Sequence, residues 1–199
     1  MAMIKLGDLK HGSVINERQI AASLGLSRTP VREALGRLEV QNYLRRSGRA
    51  LVVVGVSLTD ILEIMIVRRG IEGEAARMAS GRMSKVKLNE LRASIQGMAS
   101  ADEISGDQHW EIDDNIHVSI AAASGNSLIQ RMIGDLRTRS RMFGKEQIPS
   151  RFEPGKSEHL AILDAIEGNR AELASDLMRQ HIESARLAIL RSVAGEPVQ

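Results

Sequence analysis

Three histidines and one aspartate in the C-terminal part of this 199-residue chain have the types and spacing to hold a metal ion. Asp113 and His117 stand at i and i+4, so they share one helix face, which also carries Trp110 and Ala121 and is bordered by Ile116 and Ile120. His159 falls on an apolar stripe with Ile162, Leu163 and Ile166, and His181 falls on another with Ala174, Leu177, Met178, Ala185 and Ala188. Each of the four is therefore expected to point inward. Buried polar groups need partners, and a buried carboxylate needs a counter-charge. Taken singly, each histidine reads as a hydrogen-bonded core residue. Taken together, four polar groups from three helices would all be satisfied by one divalent ion. Three imidazoles and one carboxylate suit Zn²⁺ first, then Ni²⁺, Mn²⁺ or Fe²⁺, rather than an oxygen-only Ca²⁺ site. Such an ion could bind a ligand, activate water for hydrolysis as in a metalloenzyme, or be purely structural.

The elements that must position this set read as helices. Ser57-x-x-Asp60 is a capping signal, and helical periodicity runs from Ile61 to about Ser80. Further helices are expected over 84–100, 106–124, 126–145, 154–168 and 170–193. Breaks fall near Gly81, Gly106, Gly125-Asn126, Pro149, Pro154 and Gly168-Asn169. No strand pattern or fixed-period repeat occurs after residue 56.

A second constellation opens the chain. In 16–46 two short helical patterns flank Gly25-Leu26-Ser27, the layout of a helix-turn-helix whose second helix enters the DNA major groove. Asn16 can cap the first helix, with Gln19 at capping-box spacing, and Gly25 suits the left-handed residue that ends it. Ser27 or Thr29 can cap the second helix, and Pro30 fits its first turn. Val31, Ala34, Leu35 and Leu38 give that helix a buried face and leave Arg28, Thr29, Arg32 and Arg37 outward. Tyr43–Arg46, a Ser47-Gly48 turn and Ala50–Val54 read as a two-stranded wing. The competing reading is a plain helical hairpin with a solvated basic face.

Composition agrees with duplex DNA as a partner. Residues 1–56 hold nine Lys/Arg against four Asp/Glu, and the remainder holds eighteen against twenty-one. A basic head on a mildly acidic body fits a head that meets phosphates. Aromatic content of 2% argues against a stacking platform for single strands. Cysteine is absent, no leader pattern opens the chain, and no apolar run approaches membrane-spanning length. The expectation is a cytoplasmic protein with no membrane partner. It is mainly α: a winged helix-turn-helix over 1–56, an all-helical antiparallel bundle over 57–193 and a tail over 194–199.

The run Ile15-Asn16-Glu17-Arg18, continued by Leu24-Gly25-Leu26-Ser27-Arg28-Thr29-Pro30-Val31-Arg32-Glu33-Ala34-Leu35, resembles the winged helix-turn-helix of GntR-family bacterial transcription regulators. The resemblance puts Arg18, Ser27, Arg28, Thr29 and Arg32 at DNA-contacting positions and the wing tip, Gly48 and Arg49, at the minor groove. Two features depart from that pattern. Only Met1–Lys10 are available where a helix of about one dozen residues usually precedes the equivalent of Gly12, and Arg49 occupies an expected wing glycine. Residues 57–193 resemble the FCD ligand-binding domain of the FadR subgroup. They carry Asp113-x3-His117, His159 before Leu160-Ala161-Ile162-Leu163-Asp164-Ala165-Ile166, and Met178-x2-His181. The resemblance implies a metal in an effector pocket, with Arg68, and less directly Arg137 and Arg141, facing a small carboxylate effector. An Arg68–Glu72 pair on a helix surface is the plain alternative. It also implies a homodimer on a pseudo-palindromic operator, whose two heads the effector shifts.

Overall fold

The computed structural model describes residues 12–97, 106–143 and 152–195. The leading segment 1–11, the far ends of the helices expected over 84–100 and 126–145, Pro149 and the last residues of the tail lie outside the described residues.

The head begins with α1 (Glu17–Ser23) and α2 (Arg28–Val40). Asn16 Oδ1 accepts the Gln19 backbone N–H at 3.1 Å, the side-chain cap that the sequence asks for. Helix α1 ends in a Schellman motif: Leu26 N–H donates to Ala21 O at 3.0 Å, Gly25 N–H to Ala22 O at 3.2 Å, and Gly25 takes φ +63°. Ser27 occupies the N-cap position of α2, but its hydroxyl makes no capping bond. Strands β1 (Leu44–Ser47) and β2 (Ala50–Val53) pair antiparallel, with Ser47 opposite Ala50. The two-residue loop has positive φ at Gly48 alone, at +61°, as a type II′ hairpin with glycine first requires. The shifted wing glycine therefore still closes a regular hairpin, with Arg49 at the second loop position. Val14 bridges to Val52, adding a strand contact that the sequence reading lacked. Ala21, Val31, Leu35, Leu38, Tyr43, Leu44 and Val53 form the head's own apolar core.

The body contains six helices among the described residues: α3 (Leu58–Ala79), α4 (Lys85–Gln96), α5 (Gly106–Ala123), α6 (Ser127–Met142), α7 (Phe152–Glu167) and α8 (Ala171–Ala194). Helix α3 starts with the expected capping box, both halves formed by Ser57 and Asp60. Helix α7 starts two residues earlier than expected, which puts Pro154 inside its first turn, where a missing N–H costs little. Helix α3 packs along α8 and against α5 and α6, while α7 packs on α8 and α4. Ile61, Leu88, Leu91, Ile95, Ile116, Ile120, Ile162, Leu163 and Ile166 are fully buried at the centre. Each such side chain contributes roughly 1.5–3 kcal/mol of hydrophobic stabilisation. This packing fixes the faces of α3, α5, α6, α7 and α8 that meet at the candidate site.

Head and body touch through the end of α6. Arg139 Nη2 donates to the Gln41 carbonyl at 3.0 Å, and its guanidinium lies 5.3 Å from the Tyr43 ring centroid. Gln41 is the C-cap of α2, so a cation sits where the helix dipole is negative. Met142 completes the contact by packing on the head core.

Candidate metal centre and nucleic-acid interface

The body packing brings Asp113, His117, His159 and His181 together, with one ligand atom from each within 4.8 Å of the others. Helix α5 supplies Asp113 and His117 one turn apart, α7 supplies His159, and α8 supplies His181. The three imidazoles are buried and Asp113 is partly exposed. His159 Nε2 lies 3.3 Å from His117 Nε2 and 3.4 Å from Asp113 Oδ1, and His117 Nε2 lies 3.7 Å from that same oxygen. Bonds of about 2.1 Å at tetrahedral or octahedral angles put neighbouring donors about 3.0–3.5 Å apart, so this donor set fits a divalent ion.

At His159, His181 and Asp113 the surroundings favour the protonation states a metal needs. Burial pushes His159 well below the usual histidine value, and His181 and His117 push the same way, against Asp113. Burial also lowers His181, outweighing the opposing hydrogen bond from Glu158. For Asp113 burial opposes ionisation, but Arg137 and the histidines overrule it and hold the carboxyl well below its usual range.

A layer of charged groups surrounds the four. Glu72 on α3 accepts from His117 Nδ1 through Oε2 and from Arg68 Nε through Oε1 at 2.5 Å. Burial raises Glu72, yet Arg68, His117 and Arg137 pull it far below the carboxylate range. Arg68 Nη1 in turn donates to Ser140 Oγ at 3.2 Å. The Arg68–Glu72 pair thus exists but is buried, with side-chain exposures of 6% and 2%, rather than lying on a helix surface. Arg137 donates to Asp113 Oδ2 and, through Nε at 2.7 Å, to Asp114 Oδ1. Arg141 stands 3.9 Å from Asp114. The three arginines singled out from sequence therefore all border the centre, and the described contacts bind them to carboxylates of the chain. Glu158 Oε2 accepts from His181 Nδ1 at 2.8 Å.

Asp114 and Glu158 were not singled out by the sequence reading, and Glu72 was named only as a surface partner of Arg68, not as a partner of His117. For Glu72 the signal existed: Ile61, Met65, Arg68, Glu72, Ala76 and Ala79 repeat at helical spacing, so a charged pair interrupts an apolar stripe as the histidines do. For Asp114 and Glu158 nothing in the local pattern separates them from solvated acids.

In the head, Arg18, Ser27, Arg28, Thr29, Arg32, Gly48 and Arg49 are all exposed. Arg28 and Arg32 start α2 side by side, each held by Glu17: Arg28 Nε at 3.1 Å and Arg32 Nη2 at 3.0 Å from Oε1. The hydrogen bond from Arg32, reinforced by Arg28 against slight burial, lowers the Glu17 carboxyl. Two outward guanidinium groups about one turn apart at the start of a second helix, beside a closed wing, form a surface fit for phosphates and guanine edges.

Comparison with known families agrees with both halves. Residues 1–54 match the gntR family of bacterial regulatory proteins, and residues 63–184, more than half of the chain, match the FCD domain. The chain belongs to the GntR regulators that carry an FCD domain. This GntR protein is 29% identical over 203 residues to the probable D-xylose utilization operon transcriptional repressor of Paenarthrobacter nicotinovorans, covering 96% of this chain and 86% of that one. It is 27% identical over 188 residues to the Nta operon transcriptional regulator of Aminobacter aminovorans, with coverages of 92% and 88%. Its fold matches that of E. coli McbR/YncC with a TM-score of 0.82 at 24% identity, over 96% of this chain and 93% of the other. As a GntR family member with this head, the protein is a DNA-binding transcriptional regulator with a ligand-sensing domain. No described helix is long and apolar enough to cross a membrane.

Proposed function

We propose that this regulator is metal-dependent: its body holds one divalent ion, Zn²⁺ by donor chemistry, on Asp113, His117, His159 and His181, and senses a small organic acid there. The observation that carries the reading is the convergence of three buried imidazoles and one carboxylate with their donor atoms within 4.8 Å. When bound, the ion supplies Lewis-acid positions that a carboxylate can take in place of water. Arg137 holds Asp113 in place, and Arg68, Arg137 and Arg141 border the centre, each beside a carboxylate of the chain that an anionic effector would have to displace. A sensing role is favoured over hydrolysis because more than nine-tenths of the chain aligns with named operon regulators. The head docks as one half of a two-fold homodimer on a pseudo-palindromic operator in the cytoplasm. Effector binding then acts through its difference in affinity between DNA-competent and incompetent arrangements, typically about 1–3 kcal/mol.

Elemental analysis of protein purified without added metal tests the core of the reading. About one ion per chain is expected. His159→Ala or His181→Ala should remove it, and a metal-free wild type that still responds to its effector would overturn the assignment. Genomic fragments captured by the protein then give the operator, and titration of that complex with small carboxylic acids separates a sensing ion from a structural one.

A further inference from the structure

Two glutamates stand directly behind two of the three histidine rings. Glu72 on α3 meets Nδ1 of His117 on α5, and Glu158 on α7 meets Nδ1 of His181 on α8 at 2.8 Å. In both pairs the carboxylate comes from a different helix than the ring, so each ring is braced across a helix–helix contact. An ionised carboxylate only accepts hydrogen bonds, so each pair sets the ring proton on Nδ1 and leaves the Nε2 lone pair on the far side. For His117 that far side is the cluster, where its Nε2 lies 3.3 Å from His159 Nε2, and the His181 ring centre lies 4.4 Å from that of His159 and 5.1 Å from that of His117. Glu72 is fixed in its turn by Arg68, whose other nitrogen donates to Ser140 on α6. Glu158 precedes His159 on α7. Successive helix residues point about 100° apart, so one turn of α7 gives a ligand to the cluster and a brace to α8.

We propose that Glu72 and Glu158 are positioning residues of the metal centre, which fix the Nδ1–H tautomers of His117 and His181 and aim their Nε2 atoms at the ion. The proposal rests on the metal reading above. Carboxylates behind ligand histidines also make the imidazoles stronger donors, and removing such partners typically lowers metal affinity about 10–100-fold.

Zn²⁺ titration of the full chain against a chromophoric chelator tests this, with Co²⁺ absorption as a report of ligand geometry. Glu158→Ala should bind Zn²⁺ about 10–100-fold more weakly than wild type. Its Co²⁺ spectrum should change, while melting in chelator stays at the wild-type temperature. Glu158→Gln keeps a neutral acceptor for Nδ1–H and should recover most of the affinity. Glu72→Ala should weaken binding in the same way; if it does not fold, the Glu158 pair of variants decides alone. Wild-type affinity and spectrum in Glu158→Ala would overturn the proposal, provided wild type itself takes up one ion. A wild type that takes up none refutes the metal reading, and this inference with it.

Discussion

Glu17 in the head and Glu72 in the body each grip arginine, and the two clusters differ in everything except charge. Glu17 holds Arg28 and Arg32, whose side chains are 62% and 68% exposed. Glu72 holds Arg68 with both side chains almost wholly buried. Exposed ion pairs are worth little, because water and salt compete for each partner. That suits a DNA interface such as the one proposed, in which these guanidinium groups leave a carboxylate for a phosphate. A buried pair has no such exchange available, and breaking it leaves a charge stranded. One end of the molecule keeps its charges transferable. The other commits them to holding side chains in register.

Removing each glutamate in turn should break or sharpen that contrast. Glu72→Gln strands Arg68 and should cost about 3–5 kcal/mol in urea unfolding of metal-free protein; a loss below about 1 kcal/mol would mean that water reaches the pair. Next in size is the double variant Arg28→Ala with Arg32→Ala. Operator affinity should fall by about 1–3 kcal/mol for each arginine, with a shallower salt dependence and unchanged melting of the body. Unaltered binding would remove these residues from the interface.

Acid should separate the two regions more gently. His159 and His181 have folded-state values below the unfolded one, so their contribution is present above the ordinary histidine value near 6.5 and is lost as pH falls below it. Chelated protein should therefore lose stability on going from pH 7 to pH 5, and bound Zn²⁺ should resist the loss. A flat profile over that range would argue that the imidazoles reach solvent. The smallest effect belongs to Glu17→Gln, which should change stability by no more than about 0.5 kcal/mol. Its carboxyl is also lowered, so its weak grip fades only as pH drops through the carboxylate range.

The sequence made the helices legible because their signals are local. Ser57 with Asp60, Asn16 with the Gln19 N–H, and Gly25 each act within a few residues, and all three occur as read. The inward face of Asp113, His117, His159 and His181 was legible for a related reason, since polar groups interrupting an apolar stripe demand partners. Which partners they take was not legible. Glu72 and His117 are 45 residues apart, and Glu158 and His181 are 23 apart, so only tertiary packing introduces them. The wing shows the opposite limit. Moving glycine by one position looked like a defect against the family pattern, yet the hairpin accepts glycine at either central position by changing turn type.

The last six residues of α6 touch both regions. Arg137 and Ser140 reach Asp113 and Arg68, while Arg139 and Met142 reach Gln41, Tyr43 and the head core. Four residues within two turns of one α-helix cannot slide past each other, because the same backbone hydrogen bonds hold them all. A rigid movement of α6 that draws the Arg137 backbone away from Asp113 therefore also carries Arg139 relative to α2. The buried cluster and the head thus share a bearing less than two helical turns long.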